Sequence, residues 1–373
     1  MCNKAKDWKS FYKGARVLVS GHTGFKGAWL CEWLLALGAK VHGFALEPPT
    51  TPALFDQLDL TRRMHSIIGD IRERRILGDV VRKVRPDFVF HLAAQSLVRR
   101  SYQEPYDTFS VNFSGTLNLL EELRLAGEAC NVVVVTSDKC YESRLTQKAF
   151  RESDALGGYD CYSASKGAAE VLTSAYRRCF FSSDDSPVLI STARAGNVIG
   201  GGDWAKDRII PDAMRSLLKG LPIPVRNPFA TRPWQHVLEP LGGYLLLGAR
   251  MSQGALESLL RSPTANAAAF NFGPSVESER TVQEVVEQVT RTWPGTWKTS
   301  YADKEPHESK WLSLDASRAR QELGWSPVWK FSETIERTVN WYLNVSRDQS
   351  AAQHITADQI NEHQDRFSSL ITN

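Results

Sequence analysis

A strand, a glycine-rich turn and a helix follow one another near the start of the chain, and no other feature constrains the fold as strongly. Arg16-Val-Leu-Val-Ser20 reads as a buried strand, Gly21-His-Thr-Gly24-Phe-Lys-Gly27 as the turn, and Ala28 to Leu37 as a helix that stops at Gly38. Lys40-Val-His-Gly-Phe-Ala45 then returns as a second strand. The turn calls for residues that tolerate unusual backbone angles and leave room for a close approach. The helix start presents free N–H groups and partial positive charge, a ready site for a phosphate or pyrophosphate. Glycines recur in many tight turns, but a strand before and a helix after are the context a dinucleotide site requires. Gly21, Thr23, Gly24, Phe25, Lys26 and Gly27 are therefore the candidate cradle for a dinucleotide cofactor.

The alternation continues. Further strands are expected at Met64 to Ile68, Asp87 to His91, Asn131 to Val135, Pro187 to Ser191 and Ala269 to Phe272. Helices are expected at Ile76 to Val84, Tyr106 to Ala126 and Tyr162 to Cys179. Continuous apolar strands alternating with helices imply a parallel sheet covered on both faces, an α/β doubly wound Rossmann fold. A single core usually stops growing near ~250–300 residues, and this chain has 373. After Arg194 glycine and proline become dense, as in Gly200-Gly-Gly202 and Pro222 to Pro233. We expect residues 13–195 to form the dinucleotide-binding domain, with a returning strand near 269–273. Residues 196–345 should form mainly a smaller mixed α/β substrate lobe, and 346–373 a polar tail, either a peripheral helix or an oligomer contact.

Composition excludes some classes. A formal net charge of +3 is too small to imply a nucleic-acid partner, though it suits a site that meets a diphosphate. No apolar run approaches the ~20 residues of a membrane span, and Met1 to Lys13 lacks the apolar stretch of a signal peptide. A cytoplasmic protein with neither membrane nor nucleic-acid partners is expected. The six cysteines form no Cys-x-x-Cys pairs, so no metal site is expected and the thiols read as reduced and structural.

The reactive centre is read from Tyr162-Ser-Ala-Ser-Lys166, which sets a phenol and an ammonium one helical turn apart on the same face. A free tyrosine has a pKa of ~10, and a nearby positive charge, from Lys166 together with the positive ring of a nicotinamide cofactor, would favour the phenolate. Such a phenolate can take the proton of an alcohol as hydride leaves the same carbon. Ser137, at the end of the fifth strand, is suited to hydrogen-bond the same oxygen. Asp138 and Lys139 follow it at the carboxyl end of a central strand, where catalytic residues tend to sit. An acid could protonate a departing hydroxyl while a neutral amine removes a carbon-bound proton, the requirement for eliminating water. A surface salt bridge on a loop is the plain alternative for this pair.

The order and spacing of Ser137, Tyr162 and Lys166, with G-x-x-G-x-x-G in the first turn, resemble the extended short-chain dehydrogenase/reductase family. Within it, Asp138-Lys139 and several longer motifs resemble the CDP-glucose 4,6-dehydratases. Those motifs are Gly21 to Leu30, Leu46 to Pro52, Thr136 to Tyr141, Arg194 to Trp204 and Thr231 to Val237. The resemblance implies NAD as cofactor, touched also by Asp70, Ile71, Leu92, Ala93, Ala94, Gln95 and the mid-helix Asn112. From the residues alone, Asp70 reads equally as a turn or cap before Arg72. Ala45, at the end of the second strand, offers neither an acid nor a base to choose between NAD and NADP.

The resemblance further implies that CDP-glucose is oxidised at C4 through Tyr162. It then loses water across C5 and C6 through Lys139 as base and Asp138 as acid, and regains hydride at C6, for deoxysugar and cell-surface polysaccharide synthesis. Ser96, Asn197, Asp203, Arg208 and Arg232 are the candidate substrate contacts, and assembly as a homodimer or homotetramer is expected. Three rivals remain on the residues. They are a 4-epimerase, which needs no Asp138-Lys139 pair, another sugar-nucleotide dehydratase, and a non-catalytic dinucleotide-binding regulator.

Overall fold

The computed structural model describes residues 7–143, 148–300 and 312–371. Seven parallel strands form the central sheet: β1 (Arg16–Ser20), β2 (Lys40–Ala45), β3 (His65–Ile68), β4 (Phe88–His91), β5 (Cys130–Val135), β6 (Val188–Ala195) and β7 (Ala269–Phe272). Their order is β7-β6-β5-β4-β1-β2-β3. The chain therefore runs outward from β1 to β3, then starts again beside β1 at β4 and runs the other way. The crevice at the carboxyl ends of β1 and β4 is the topological switch point where doubly wound sheets bind ligands.

Strand alternation sorts the side chains between two cores. Val17 and Val19, Phe88 and Phe90, and Val133 and Val135 join one buried cluster; Leu18, Val89, Val132 and Val134 join the other. The first cluster is covered by α1 (Phe25–Ala36), the second by α2 (Arg74–Val84) and α3 (Gly115–Ala126). Each fully buried aliphatic or aromatic side chain contributes roughly 1.5–3 kcal/mol, so a one-residue slip of any central strand would be strongly disfavoured. The expected doubly wound sheet is what the chain forms. The expected helix at 106–126 is interrupted, with a π-helical turn at Ser110–Ser114 before α3. α4 (Cys161–Tyr176) is followed by a second π turn at Arg177–Phe181.

The stretch beyond 195 builds small two-stranded sheets, pairing 198–199 with 235–236, 231–233 with 279–281, and 223–225 with 297–299. It also carries α5 (Ile209–Leu218) and α7 (Val282–Thr292). Between these, α6 (Leu238–Ser252) lies against the main sheet: the Tyr12 hydroxyl donates to Leu245 O at 2.6 Å, and Tyr244 meets Phe272 edge-on at 5.5 Å. The lobe and the sheet thus share one continuous core.

The C-terminal segment departs most from expectation. It is not a peripheral or frayed helix. α9 (Ala351–Ile371) follows α8 (Phe331–Arg347) and packs on α1, α6 and α8. It buries Ile360, His363 and Phe367 completely. Trp33 Nε1 donates to Gln364 Oε1 at 2.9 Å, Trp341 Nε1 to Thr356 Oγ1 at 2.9 Å, and His363 Nε2 lies 3.2 Å from Glu239 Oε2. The polar residues seen in the sequence form one stripe of this helix, and that stripe masked a narrow apolar one.

Candidate active site

The glycine turn lies at the switch point and packs tightly on one side. A Cβ on Gly21 (φ +78°) would come within 2.7 Å of Ala93 N, and one on Gly27 within 2.1 Å of Gly21 O. These two positions need glycine. At Gly24 a Cβ would meet only Gly21 O, at 3.4 Å, so the flank before the first turn of α1 is open. The first N–H groups of α1 have no intrahelical acceptor. An open, glycine-edged helix start beside the Leu92–Ala94 loop fits a dinucleotide pyrophosphate. Thr23 Oγ1 donates to Leu46 O at 2.8 Å, which ties the turn to the end of β2. Ile71 is buried against Gly115. Asp70 accepts from Arg72 through both carboxylate oxygens, and that pairing holds it below the usual carboxylate range.

The reactive residues come from two elements. The Asp160 side chain caps α4 by accepting from Ser163 N at 2.9 Å, which fixes Tyr162 in its first turn. Lys166 follows one turn later and donates to Val135 O at 3.3 Å, at the end of β5. Just beyond that end, Ser137 caps a short 3-10 turn over Asp138–Cys140: its hydroxyl accepts from Lys139 N at 3.2 Å and donates to Asp138 Oδ1 at 3.0 Å. Ser137, Asp138, Tyr162 and Lys166 are all buried, and Lys139 is half-buried.

Burial dominates the electrostatics. It pushes Tyr162 up to about 12 against a smaller lowering by the Ser137 hydroxyl, and it pushes Lys166 down to about 8. In the protein alone, burial therefore outweighs the nearby charges and favours the neutral phenol. After Ser137, the group that favours ionised Tyr162 is Arg208. Burial also raises Asp138 above the usual carboxylate range, although Lys139, Ser137, Arg232 and Lys26 all oppose it. Asp138 Oδ2 is buried with no hydrogen-bond partner, and Gly196 gives it room, since a Cβ there would approach it to 2.8 Å.

The candidate substrate residues gather around this centre. Arg208 spans Asp203 Oδ2 (2.9 Å) and Ser96 Oγ (3.2 Å), joining the lobe to the loop after β4. Arg232 is buried and acts on Asp138 electrostatically. Asn197 O accepts from Gln235 N at 3.2 Å.

Asn112, in the π turn, uses its whole amide on protein partners. It accepts from Gln95 N at 2.8 Å and donates to Gln95 O at 3.0 Å and Ser165 Oγ at 2.8 Å. The Gln95 side chain is likewise committed, to Thr108 and Leu97. Asn112 thus ties the loop after β4 to Ser165 on α4, and Gln95 ties the same loop to Thr108. Among the described residues no cluster with metal-ligating composition occurs, and the five described cysteines are free.

The family model described as GDP-mannose 4,6 dehydratase matches residues 18–338. The chain belongs to this family of nucleotide-sugar 4,6-dehydratases. It is 45% identical over 340 residues to a CDP-glucose 4,6-dehydratase of Salmonella typhimurium, covering 90% of this chain and 92% of that one. A dTDP-glucose 4,6-dehydratase of Neisseria gonorrhoeae is 28% identical over 76% of this chain and 82% of its own. Among solved structures, a dTDP-glucose 4,6-dehydratase from Streptomyces venezuelae with NAD and TYD bound superimposes with a TM-score of 0.72 at 26% identity, covering 88% of this chain and 97% of that one. An epimerase from Methanothermobacter thermautotrophicus, 24% identical and covering 95% and 97% of the two chains, shares the fold with a TM-score of 0.74.

Two residues beside this site, Tyr244 and Glu170, escaped the sequence reading. Lys26, assigned from its motif to the cofactor, is half-buried and donates to Tyr244 Oη at 3.0 Å; burial first, then Lys166 and Arg208, push it down to about 7. Tyr244 is fully buried on α6 and interacts electrostatically with Tyr162. No local signal links residues 218 positions apart. Glu170 is the other kind of miss: it continues the Tyr162–Lys166 face by one more turn, and that spacing was legible.

Proposed function

We propose that the chain converts CDP-glucose to CDP-4-keto-6-deoxyglucose, with NAD regenerated in each turnover. The lyase reaction and the NAD requirement follow from the family, and the open Gly24 flank fits the cofactor. The cytidine base is favoured by the 45% identity to the Salmonella enzyme. One observation carries the assignment of elimination: a buried, raised Asp138 carboxyl with an unpartnered oxygen, next to Lys139 in a turn capped by Ser137. A departing hydroxyl needs a proton, and a carboxyl whose burial favours the protonated form suits that role.

NAD, when bound, takes hydride from C4 and gives it back to C6. Ser137 and Tyr162 hold the C4 oxygen, and Tyr162 accepts its proton. Burial favours the neutral phenol of Tyr162 in the protein alone, and Ser137 and Arg208 oppose it; the charge of an oxidised nicotinamide bound beside Tyr162 would add to theirs. The C4 ketone acidifies C5. Lys139 then takes the C5 proton, the C6–O bond breaks, and Asp138 gives its proton so that water leaves. A C5–C6 double bond conjugated to the ketone results. Once C6 has regained hydride, the proton on Lys139 returns to C5, and the proton that Tyr162 took from the C4 hydroxyl replaces the one Asp138 gave to the departing water, so that all three groups end as they began. Arg208 and Arg232 hold the diphosphate, and Ser96, Asn197 and Asp203 shape the sugar site.

Substrate deuterated at C4 tests the reading. The label should appear at C6 of the product; label returned to C4 would mean epimerisation instead. Supplying CDP-, UDP-, GDP- and dTDP-glucose in turn identifies the base. The protein should form a homodimer through the helices at 98–126 and 161–181, whose outer faces expose Tyr102, Tyr106, Phe109, Val171 and Phe180. A cytoplasmic enzyme of deoxysugar synthesis for cell-surface polysaccharide accords with the absence, among the described residues, of any helix able to cross a membrane.

A further inference from the structure

The Asp138–Cys140 turn is short, with few backbone bonds of its own: Cys140 N reaches Ser137 O at 3.2 Å and Gly157 N reaches Cys140 O at 2.9 Å. Side chains at both of its ends lead into one buried network. Before the turn, Thr136 Oγ1 donates to Glu170 Oε1. Glu170 Oε2 accepts from Thr192 Oγ1 at 2.8 Å and from Arg194 Nη2 at 2.7 Å. After the turn, Tyr141 Oη accepts from Arg194 Nη1 at 2.8 Å and donates to Asn271 Oδ1 at 2.6 Å. The Arg194 guanidinium also lies 5.0 Å from the Tyr141 ring centroid. Thr136, Glu170, Arg194 and Tyr141 thus close a loop of bonds around the residues assigned as acid and base. Its carboxylate stands on α4, one turn beyond Lys166.

Stability alone gives this network little reason to exist. A fully buried ion pair roughly breaks even against well-packed apolar residues, and Glu170 and Arg194 are 2% and 0% exposed. Positional precision gives it one. A capped helix needs no such brace to present Tyr162 and Lys166, whereas a three-residue turn does.

We propose that Tyr141, Glu170 and Arg194 are positioning residues that hold Asp138 and Lys139 in register with Tyr162, so that elimination depends on them more steeply than C4 oxidation does. The proposal rests on the acid and base roles given above to Asp138 and Lys139.

Tyr141→Phe tests it. The ring keeps its stacking on Phe150, 4.8 Å away at 7°, and only the hydroxyl is lost. In single turnover, C4 oxidation is read as reduced-nicotinamide absorbance and elimination as product. Amide hydrogen exchange at 138–141 in the free protein gives a readout independent of turnover. Elimination should slow ~10- to 100-fold, the order expected for a misplaced catalytic group. C4 oxidation should hold within about twofold, so that reduced cofactor accumulates, and exchange at 138–141 should rise. Equal slowing of both steps, or no change in either, overturns the proposal. Thr136→Val loosens the other end and should show the same split, which covers the case in which Tyr141→Phe fails to fold. If Lys139→Ala and Asp138→Asn themselves eliminate water normally, the acid and base roles fall. If they block elimination while Tyr141→Phe and Thr136→Val do not, only the bracing falls.

Discussion

Replacing Phe367 by alanine should destabilise the whole protein, although the residue lies in the last turns of the chain. Phe367 is 0% exposed on α9, with its ring 5.8 Å from Trp8 edge-on and 5.8 Å from His363. A buried Phe→Ala change costs about 3–5 kcal/mol, part transfer and part cavity. The void would be walled by Trp8, Trp33 and α6, since Trp8 also meets Trp33 at 6.3 Å and a Cβ on Gly242 would touch the Phe367 ring at 3.4 Å. These are large, mutually packed groups that collapse poorly, which favours the upper half of that range. Domain stabilities are ~5–15 kcal/mol, so the loss is a large fraction of the total, about 5–6 °C in Tm for a chain of this length. Because α9 packs on α1, the helix that opens at the glycine turn, weaker NAD binding should accompany it. Thermal unfolding with and without NAD reads both effects. Leu370→Ala, at a 48% exposed position on the same helix, is the control and should shift stability by no more than ~0.5 kcal/mol. A Phe367→Ala protein with unchanged Tm, or one whose tail is clipped by protease without lowering the main transition, would refute the account of α9 as part of the core.

Other outcomes follow from the same structure. Asp138→Asn should raise Tm at neutral pH, since the amide avoids what the wild-type carboxylate must do on folding, either take up a proton or carry its charge into a buried site. Its raised folded pKa makes the wild-type contribution full below the unfolded value and lost as pH rises, so the gain should vanish below about pH 4; a gain independent of pH would contradict this. Burial pushes His22 down to about 4 and His91 to about 3. Their contribution is present above the unfolded value of ~6.5 and lost as pH falls through those values. Unfolding near pH 5 should therefore take up about one proton at each, measurable by calorimetry in buffers of different ionisation heat. Gly24→Val should leave Tm nearly unchanged yet weaken NAD binding at least tenfold, because the open flank is where the pyrophosphate would lie; normal binding by that variant would move the cofactor elsewhere. Arg208→Gln should raise KM for the sugar nucleotide, and a KM held at the wild-type value would remove Arg208 from the diphosphate site.

Much of this molecule is written in short stretches of chain. The seven strands, the glycine turn and the first helix were legible because burial on a parallel sheet demands continuous apolar runs, and a helix opening on a phosphate demands Gly21 and Gly27. Tyr162 and Lys166 were legible because four residues make one turn. Ser137, Asp138 and Lys139 were legible because they are adjacent. Tertiary structure decided which charges face one another, and through-space partners leave no trace in local spacing. Lys26 turns away from its motif to Tyr244 on α6. Arg208, from the distant lobe, is a cation that favours ionised Tyr162. The polar tail hides a buried stripe that appears only once α1, α6 and α8 are there to receive it. The unpartnered oxygen of Asp138 belongs to the same class: its residue type is local, but the burial that raises it is set by elements that meet only in the folded chain.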